Sequence, residues 1–366
     1  MKGLLGLINL YEDETALGPL AGHRPLAALP YAGRYRLIDF TLSNLVNAEV
    51  RTVGVLVRDK YRSLIDHLRS GKEWDLARKR DGLYILPPAH SPAAGNGGDI
   101  SNFYFNLDYI YACSEDFVII CGSQTICNLP IDQAFHYHLS VGADVTIIGR
   151  DWPDGGVTPC LLMDEEGRVT SLCDGSDPSP YDIQPLGFYI LSKSLMAELV
   201  RQCAAEGGHN LFVDGILKNL AALKVCVFRH TGYVARIDSI AAYFQHQLEL
   251  LHPAVWQELF FRYGIVYTKI KDEAPAKYKE QAVVKNSLVA NGCIIEGTVE
   301  NCILSRSVVI EKDAVVRNSI ISQNVRVGSQ ARLSHVLCDK DSTVSAGRYL
   351  NGSISSPFIV RKGAVV

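Results

Sequence analysis

The sequence lacks several features that would assign it to a specialised class of protein. No apolar run approaches the roughly 18 residues of a membrane-spanning helix. The ten cysteines are scattered, without a Cys-x-x-Cys pair, which argues against a zinc site or a disulfide framework. Small residues typical of a signal-peptide cleavage site do not follow the apolar segment 3–10. We therefore expect reduced thiols, a cytoplasmic location and no membrane association.

The charge balance excludes a further class of function. The chain has 36 Lys and Arg residues against 39 Asp and Glu residues, so its net charge is −3. A protein dominated by attraction to nucleic acid or to anionic lipid would carry a strong positive charge. We expect no nucleic-acid partner.

The length and the apolar content predict a folded chain of two or three domains. Of the 366 residues, 48% are apolar and 20% are charged. Within the first 230 residues, apolar runs predict strands at 3–10, 53–58, 117–121, 145–149, 185–191 and 225–228. Amphipathic stretches predict helices at 61–69, 102–111, 131–140 and 193–205, and a further helix at 243–251. This alternation indicates an α/β domain with a mostly parallel sheet, whose ligands bind beyond the strand ends, at the loops after Leu10 and Cys121.

The last part of the chain has a different pattern. Apolar positions recur there at spacings of five or six residues, at Val289, Ile294, Val299, Leu304, Ile310, Val316, Ile321, Val327 and Leu333. This spacing favours a hexapeptide β-helix over a β-sandwich, whose strands would recur every 8–12 residues. We predict a first domain at 1–250, a linker at 251–280 and a β-helix domain at 281–366. Exposed strand edges of such a domain favour oligomerisation.

Three segments carry a resemblance to a known family. The segment 29–44 reads LPYAGRYRLIDFTLSN, Asn106-Leu107-Asp108 is followed by Ile110, and 142–146 reads GADVT. These stretches and the hexapeptide tail resemble the ADP-glucose pyrophosphorylases, the glucose-1-phosphate adenylyltransferases of bacterial glycogen and plant starch synthesis. The resemblance implies a Rossmann-like nucleotidyltransferase domain, a left-handed β-helix and a tetramer. It also implies a reaction in which glucose 1-phosphate attacks the α-phosphate of ATP and pyrophosphate leaves.

The phosphate-binding loop of that family is not preserved. Where the family has Gly-Gly-x-Gly-Thr-Arg-Leu, this chain has residues 11–17, YEDETAL. The glycines are replaced by Tyr11, Glu12 and Glu14, and the arginine is replaced by Ala16. Three consecutive carboxylates would repel a triphosphate in a partly desolvated cleft. Alternatively, the acids lie on a solvated loop and ATP binds elsewhere.

The other charged groups of the family's site are also missing. Leu26 stands in place of a lysine, although Arg24 or His23 could partly substitute for it. Ser123 stands in place of one Mg²⁺-binding aspartate, and serine is a weak ligand for that ion. Arg236 stands in place of the second aspartate, unless a shifted register brings Asp238 into the site.

Two further segments depart from the family's substrate-binding motifs. The sugar-phosphate motif Glu-Lys-Pro is absent, because Cys173-Asp174-Gly175 follows the matching strand. The Gly-rich residues 95–99 lack the lysine of a P-loop, and we interpret them as the remnant of a substrate loop.

An intact framework with an altered site resembles the GlgD branch of the family, a catalytically silent or very weak subunit that accompanies a catalytic one. The resemblance implies a regulatory subunit in glycogen synthesis that needs no cofactor of its own, with Mg²⁺ expected only in the catalytic partner. It also implies a heterotetramer with that paralogue and the capacity to form homo-oligomers alone. Two alternatives stay open: an enzyme active by itself through a rearranged ATP and metal site, and a structural scaffold without a ligand.

Two pairs of basic residues are candidates for binding an effector. Arg34 and Arg36 alternate along an extended segment, so both side chains can face one pocket. Arg34 also matches a family lysine associated with sugar-phosphate effectors. Arg361 and Lys362 resemble the basic pair of the family's tail. We expect a sugar phosphate or phosphate as the ligand, although structural salt bridges would explain the same arginines.

Overall fold

The computed structural model describes residues 3–88, 98–151, 160–173 and 182–366. It confirms an α/β domain followed by a left-handed parallel β-helix. The strands of the α/β domain are β1 (Leu4–Asn9), β2 (Pro30–Tyr31), β3 (Tyr35–Arg36), β4 (Thr52–Leu56), β5 (Gly82–Leu86), β6 (Phe117–Cys121), β7 (Thr125–Cys127), β8 (Val145–Asp151), β9 (Cys160–Met163), β10 (Val169–Cys173), β11 (Asp182–Ser192), β12 (Val225–Arg229) and β13 (Val234–Arg236). The α-helices are α1 (Leu37–Asn47), α2 (Arg62–Leu68), α3 (Gly98–Phe105), α4 (Leu107–Ala112), α5 (Ile131–Val141), α6 (Lys193–Ala205), α7 (Ile240–Glu249) and α8 (Pro253–Phe261).

The main sheet places two loops side by side. Its strand order is β5-β4-β1-β6-β11-β8-β12, and β9 with β10 joins at the start of β11. Strands β4, β1 and β6 are parallel, whereas β11 runs antiparallel to both of its long neighbours. Because Ile8 of β1 pairs with Cys121 of β6, the loops after these two strands lie at the same sheet edge.

Two helical segments differ from the sequence prediction. A single helix was expected over 102–111, but two helices meet at Asn106. The side-chain amide of Asn106 donates a hydrogen bond of 2.9 Å to the carbonyl oxygen of Asn102, and such local bonding competes with helix continuation. The extended segment containing Arg34 and Arg36 also ends early. Helix α1 begins at Leu37, where Asp39 accepts a hydrogen bond of 2.9 Å from the backbone N–H of Arg36.

The β-helix consists of three parallel sheets. Its strands are β14 (Lys277–Tyr278), β15 (Val283–Lys285), β16 (Leu288–Val289), β17 (Ile294–Ile295), β18 (Thr298–Glu300), β19 (Ile303–Leu304), β20 (Val309–Ile310), β21 (Val315–Arg317), β22 (Ile320–Ile321), β23 (Arg326–Val327), β24 (Arg332–Ser334), β25 (Val336–Cys338), β26 (Thr343–Val344), β27 (Tyr349–Asn351) and β28 (Phe358–Val360). Each sheet takes every third strand in chain order. At one corner Asn286, Asn301 and Asn318 all have positive φ angles, and their amides form a ladder along the helix.

The predicted inward positions of the β-helix are confirmed from Val299 to Leu333, since all seven are buried. Val289 is partly buried. The prediction is wrong for Ile294, whose relative exposure is 38%, because its neighbour Ile295 points into the core instead. A strand of two residues gives alternate directions to its two side chains, so a shift of one residue reverses the burial.

The two domains share a hydrophobic cluster and a buried ion pair. Leu37 and Phe40 of α1 belong to the same cluster as Ile303, Ile320 and Leu337 of the β-helix. The ion pair joins Arg24 to Asp339 at 2.6 Å. The segment predicted as a linker contains α8, and its residues 277–278 form the first strand of the β-helix.

The cysteines largely follow the sequence prediction. Within the part of the chain that the structure describes, eight cysteines are free, and seven of these eight are buried. Cys160 is an exception to the predicted reduced thiols, because it is disulfide-bonded; nothing in the spacing of the cysteines distinguishes it. Among the described residues, the helices are too short or too polar to cross a membrane.

Candidate functional site

A cleft of about 330 Å³ lies at the sheet edge where β1 and β6 end. Its polar lining includes Asn9 at the end of β1, Tyr11 and Glu12 from the loop that follows β1, and Gln124 from the loop that follows β6. Its apolar lining includes Leu186, Phe188, Phe212, Val213 and Leu217. The loops after Leu10 and Cys121, chosen from the sequence as the first places to search, both line this cleft.

Glu12 binds the loop that follows β6. Its Oε1 accepts hydrogen bonds from the backbone N–H groups of Ser123 and Gln124, the latter at 2.7 Å, and its Oε2 accepts one from the hydroxyl of Ser123 at 2.8 Å. Burial raises the pKa of Glu12 to about 7, although these three bonds act to lower it. The carboxylate of Glu12 therefore lies next to Ser123, the residue that stands in place of the family's Mg²⁺-binding aspartate.

The other two acids of the loop do not line the cleft. Asp13 is exposed and accepts a hydrogen bond of 2.9 Å from the backbone N–H of Thr15. Glu14 accepts one of 2.6 Å from the backbone N–H of Leu26. The expectation of three carboxylates in the triphosphate site is thus wrong for these two, because successive residues of the loop point in different directions. The alternative of a solvated acidic loop applies to Asp13 and not to Glu12.

Neither Arg24 nor His23 takes the place of the family's lysine. The Leu26 side chain is fully buried and Ala16 is exposed. Arg24 does not substitute, since it is buried and donates from Nη2 to Asp339 at 2.6 Å. His23 is exposed and does not line the cleft.

Arg236 lines the cleft next to the Ser123 loop. Strand β13 pairs with β7 so that Arg236 lies opposite Thr125. Burial lowers the pKa of Arg236, while Asp238 and then Glu12 act to raise it. Its Nε lies 3.8 Å from Asp238, whose side chain is 45% exposed and does not line the cleft, so a shifted register does not bring this aspartate into the site.

These residues do not fit a Mg²⁺ ion. Such an ion prefers carboxylate and water oxygens, whereas Ser123 donates its hydroxyl hydrogen to Glu12 and Arg236 contributes a positive charge. In the four described stretches of the chain, no three His, Cys, Asp or Glu side chains are grouped to hold a metal.

Asp99 is a second buried carboxylate in the cleft that sequence reasoning did not single out. Its oxygens accept hydrogen bonds from the Asn9 amide at 2.8 Å and from the Leu211 backbone N–H at 2.9 Å. Burial raises the pKa of Asp99 to about 6. Its place at the start of α3, after a Gly-rich stretch, was the available signal. Residues 95–97 of that stretch lie outside the described residues, as do Asp174 and Gly175.

A second pocket, of about 120 Å³, lies between the two domains and is strongly basic. Six cationic side chains line it: Arg34, Arg36, Lys269, Lys271, Arg306 and Lys340. Asp66 is the acidic residue of its lining, and His67 lines it too. Sequence reasoning named two of these cations and missed four, because the four are contributed by the linker segment and the β-helix.

The two arginines predicted to share a pocket do line this one. Arg36 is held in place, since its Nη1 donates to the carbonyl oxygen of Ser63 at 2.6 Å. Arg34 is exposed, with its guanidinium 5.4 Å from the ring centroid of Tyr35. Arg361 and Lys362 are exposed and do not line the pocket.

Lys340 is the most perturbed cation of the interdomain pocket. Burial, together with the neighbouring charges of Arg36 and Arg24, lowers its pKa to about 7. Asp339 acts in the opposite direction. The pocket therefore has an excess of positive charge that an anion would relieve.

Comparisons with known proteins agree with this architecture. The nucleotidyl transferase family model matches residues 14–231, and the GlmU-like C-terminal hexapeptide model matches residues 273–351. The glycogen biosynthesis proteins GlgD of Bacillus subtilis and Geobacillus stearothermophilus are 38% and 40% identical to this chain over 99% of its length, and the matches cover 96% and 97% of those proteins. A glucose-1-phosphate adenylyltransferase of Fervidobacterium nodosum is 28% identical over 95% of this chain and 85% of its own length. The chain therefore belongs to the nucleotidyl transferase family, within the group of GlgD glycogen biosynthesis proteins that is related to the glucose-1-phosphate adenylyltransferases.

Proposed function

We propose that this chain is a regulatory subunit of glucose-1-phosphate adenylyltransferase in glycogen synthesis, with little or no catalytic activity of its own. The observation that carries the proposal is the arrangement of Glu12, Ser123 and Arg236. The carboxylate of Glu12 already accepts the hydrogen bonds that the loop after β6 can donate. The cation of Arg236 lines the cleft in which the reaction would need a divalent metal. Nucleotidyl transfer depends mainly on positioning and on charge neutralisation, and this cleft offers little of either to a triphosphate.

The cleft's electrostatics support the same conclusion. Glu12, which is partly buried, and the buried Asp99 place two carboxylates in one cavity, and a polyphosphate would enter against their charge. Arg236 offsets one of them. A productive site would need carboxylates arranged around a metal, with cations on the phosphates, which is the reverse of this distribution.

The basic pocket between the domains supports a regulatory role. Six cations with one acid form a site for a compact anion, and arginine binds phosphate oxygens bidentately. We therefore propose phosphate or a sugar phosphate as its ligand, with Arg34 and Arg36 as contacts. The pocket contacts both domains, so a bound anion would change how they are held together.

The proposal includes a partner and a compartment. The chain would assemble with a catalytic paralogue into a heterotetramer and self-associate when the paralogue is absent. Mg²⁺ would be needed in the paralogue alone. The place of action would be the cytoplasm, which the eight free cysteines favour and the disulfide at Cys160 does not. Co-expression followed by size-exclusion chromatography with light scattering tests the assembly, and two chains that stay separate at micromolar concentration would contradict it.

Activity measurements on three samples separate the proposal from its alternatives. The purified chain, a catalytic paralogue and their mixture are each supplied with ATP, glucose 1-phosphate and Mg²⁺. We expect the chain alone to form ADP-glucose far more slowly than the paralogue, and the mixture to respond differently to sugar phosphates than the paralogue alone. A robust rate from the chain alone would favour an independent enzyme. A mixture identical to the paralogue would favour a scaffold.

Arg34→Ala tests the effector site within the mixed complex. Because Arg34 is exposed, its bond to the effector should contribute about 1 kcal/mol, and its loss should raise the half-saturating effector concentration by about fivefold. Arg348→Ala removes an exposed arginine that does not line the pocket and serves as the matched control. Identical activation curves for the wild-type and Arg34→Ala complexes would show that Arg34 is structural.

A further inference from the structure

The loop after β6 presents three hydrogen-bond donors to one point. These are the backbone N–H groups of Ser123 and Gln124 and the hydroxyl of Ser123. Successive backbone N–H groups that converge in this way form a concave site for an anion. In this chain the anion in the site is the carboxylate of Glu12, a residue 111 positions before Ser123 in the sequence.

The loop is held in this shape by contacts that do not involve Glu12. The Thr41 hydroxyl donates to the carbonyl oxygen of Gly122 at 2.8 Å. The backbone N–H of Ile237 donates to the carbonyl oxygen of Gln124 at 2.9 Å, and that of Gly122 donates to Gly187 at 3.2 Å. Contacts with three separate segments therefore hold the loop independently of Glu12. We expect the donors to keep their orientation when the carboxylate is removed.

The residue before the donors leaves room for the occupant. A Cβ atom at Gly122 would lie 2.5 Å from Oε1 of Glu12, well inside van der Waals contact. The absence of a side chain there lets a carboxylate lie against the loop. Arg236 lines the same cleft and interacts favourably with the charge of Glu12. Its Nε atom is buried without a hydrogen-bond partner and can donate to an additional oxygen.

We propose that residues 122–124 form an oxyanion-binding site that Glu12 occupies as a ligand attached to the chain itself. While Glu12 is bound, the site is closed to free carboxylates and phosphates. When the Glu12 side chain is removed, a small free oxyanion takes its place on the same three donors, with Arg236 as its counter-charge. This inference goes beyond the proposed function, since it concerns the class of ligand that the loop binds and is tested without an activity measurement.

Chemical rescue of a Glu12→Ala chain tests the proposal without any activity measurement. The melting temperature is measured at constant ionic strength while chloride is exchanged for formate, acetate or phosphate. We expect a saturable rise for Glu12→Ala that exceeds the rise of the wild type by about 3 °C or more, because a ligand that binds only the folded state stabilises it. The wild type is the reference because the interdomain pocket, for which we propose phosphate as a ligand, is the same in both chains. Comparison of the three anions distinguishes a carboxylate site from a phosphate site.

Two further variants make the test specific. Asp13→Ala removes an exposed acid from the same loop and should respond to each anion as the wild type does. Arg236→Ala, added to Glu12→Ala, should raise the anion concentration at half-effect by about tenfold, as expected for the loss of a charge-assisted bond. Amide resonances of Ser123 and Gln124 should shift on addition of formate to Glu12→Ala and stay unchanged in the wild type.

Each result decides the proposal. A melting temperature of Glu12→Ala that responds to formate and phosphate no more than the wild type does would overturn it. If Glu12→Ala folds neither in chloride nor in formate or phosphate, a free oxyanion cannot replace the carboxylate, and the proposal is equally overturned. Folding that is recovered by these anions and not by chloride would support it.

Discussion

Anion binding in the interdomain pocket should be accompanied by proton uptake at Lys340. With a pKa of about 7, this lysine is only about one-tenth protonated at pH 8. A dianion beside it favours the charged form and returns the pKa toward its usual value near 10.4. Binding should then consume about 0.9 proton per site. Sulfate is the suitable probe, since it has no proton to exchange at this pH.

Isothermal titration calorimetry in two buffers measures this uptake. At pH 8 in Tris and in HEPES, the apparent binding enthalpies should differ by the proton number multiplied by the difference in buffer ionisation enthalpy. Lys269 also has a lowered pKa and would add in the same direction, whereas His67, whose pKa is below its usual value, stays neutral at pH 8. Lys340→Met isolates the contribution of Lys340, because it keeps the aliphatic stem and removes the titrating group. Equal enthalpies in both buffers for the wild type would refute the reasoning.

Two other predictions concern the ion pair between the domains and the cleft. Asp339→Asn should lower the free energy of unfolding by roughly 3–5 kcal/mol in urea titrations, because it leaves a buried arginine charge unpaired. The exposed Asp313→Asn is the control, and equal losses would contradict the assignment. Ser123→Asp combined with Arg236→Asp should restore little adenylyltransferase activity.

The sequence could predict most of the fold because its periodicities are local. Strand-like runs at 117–121 and a helix at 193–205 coincide with β6 and α6. The hexapeptide spacing identified the β-helix, and the error at Ile294 arose because a uniform spacing of five was assumed from Val289 to Leu304, whereas the buried residue of that strand is Ile295. Helix α1 was missed because its capping by Asp39 gives no periodic signal in a segment interpreted as extended.

The sequence could locate the cleft, but the roles of its side chains depend on three-dimensional directions. It placed the loops after β1 and β6 together, because parallel strands end at one edge. Which of Glu12, Asp13 and Glu14 enters the cleft depends on the path of an irregular loop. The four additional cations of the basic pocket come from segments far apart in the chain, and no local pattern links them.

The limited effect expected of the double substitution follows from what it leaves in place. Ser123→Asp would put a second carboxylate next to Glu12, which already accepts hydrogen bonds from the loop, so the two charges would repel each other. Arg236→Asp would remove the cation that offsets Glu12 and leave three acids without a counter-charge. The N-terminal loop would still lack its glycines, and the position of Leu26 would still lack a cation. Activity measured with ATP, glucose 1-phosphate and Mg²⁺ should therefore stay near that of the parent chain, and a rate comparable to that of a catalytic relative would show that the N-terminal loop is not the obstacle.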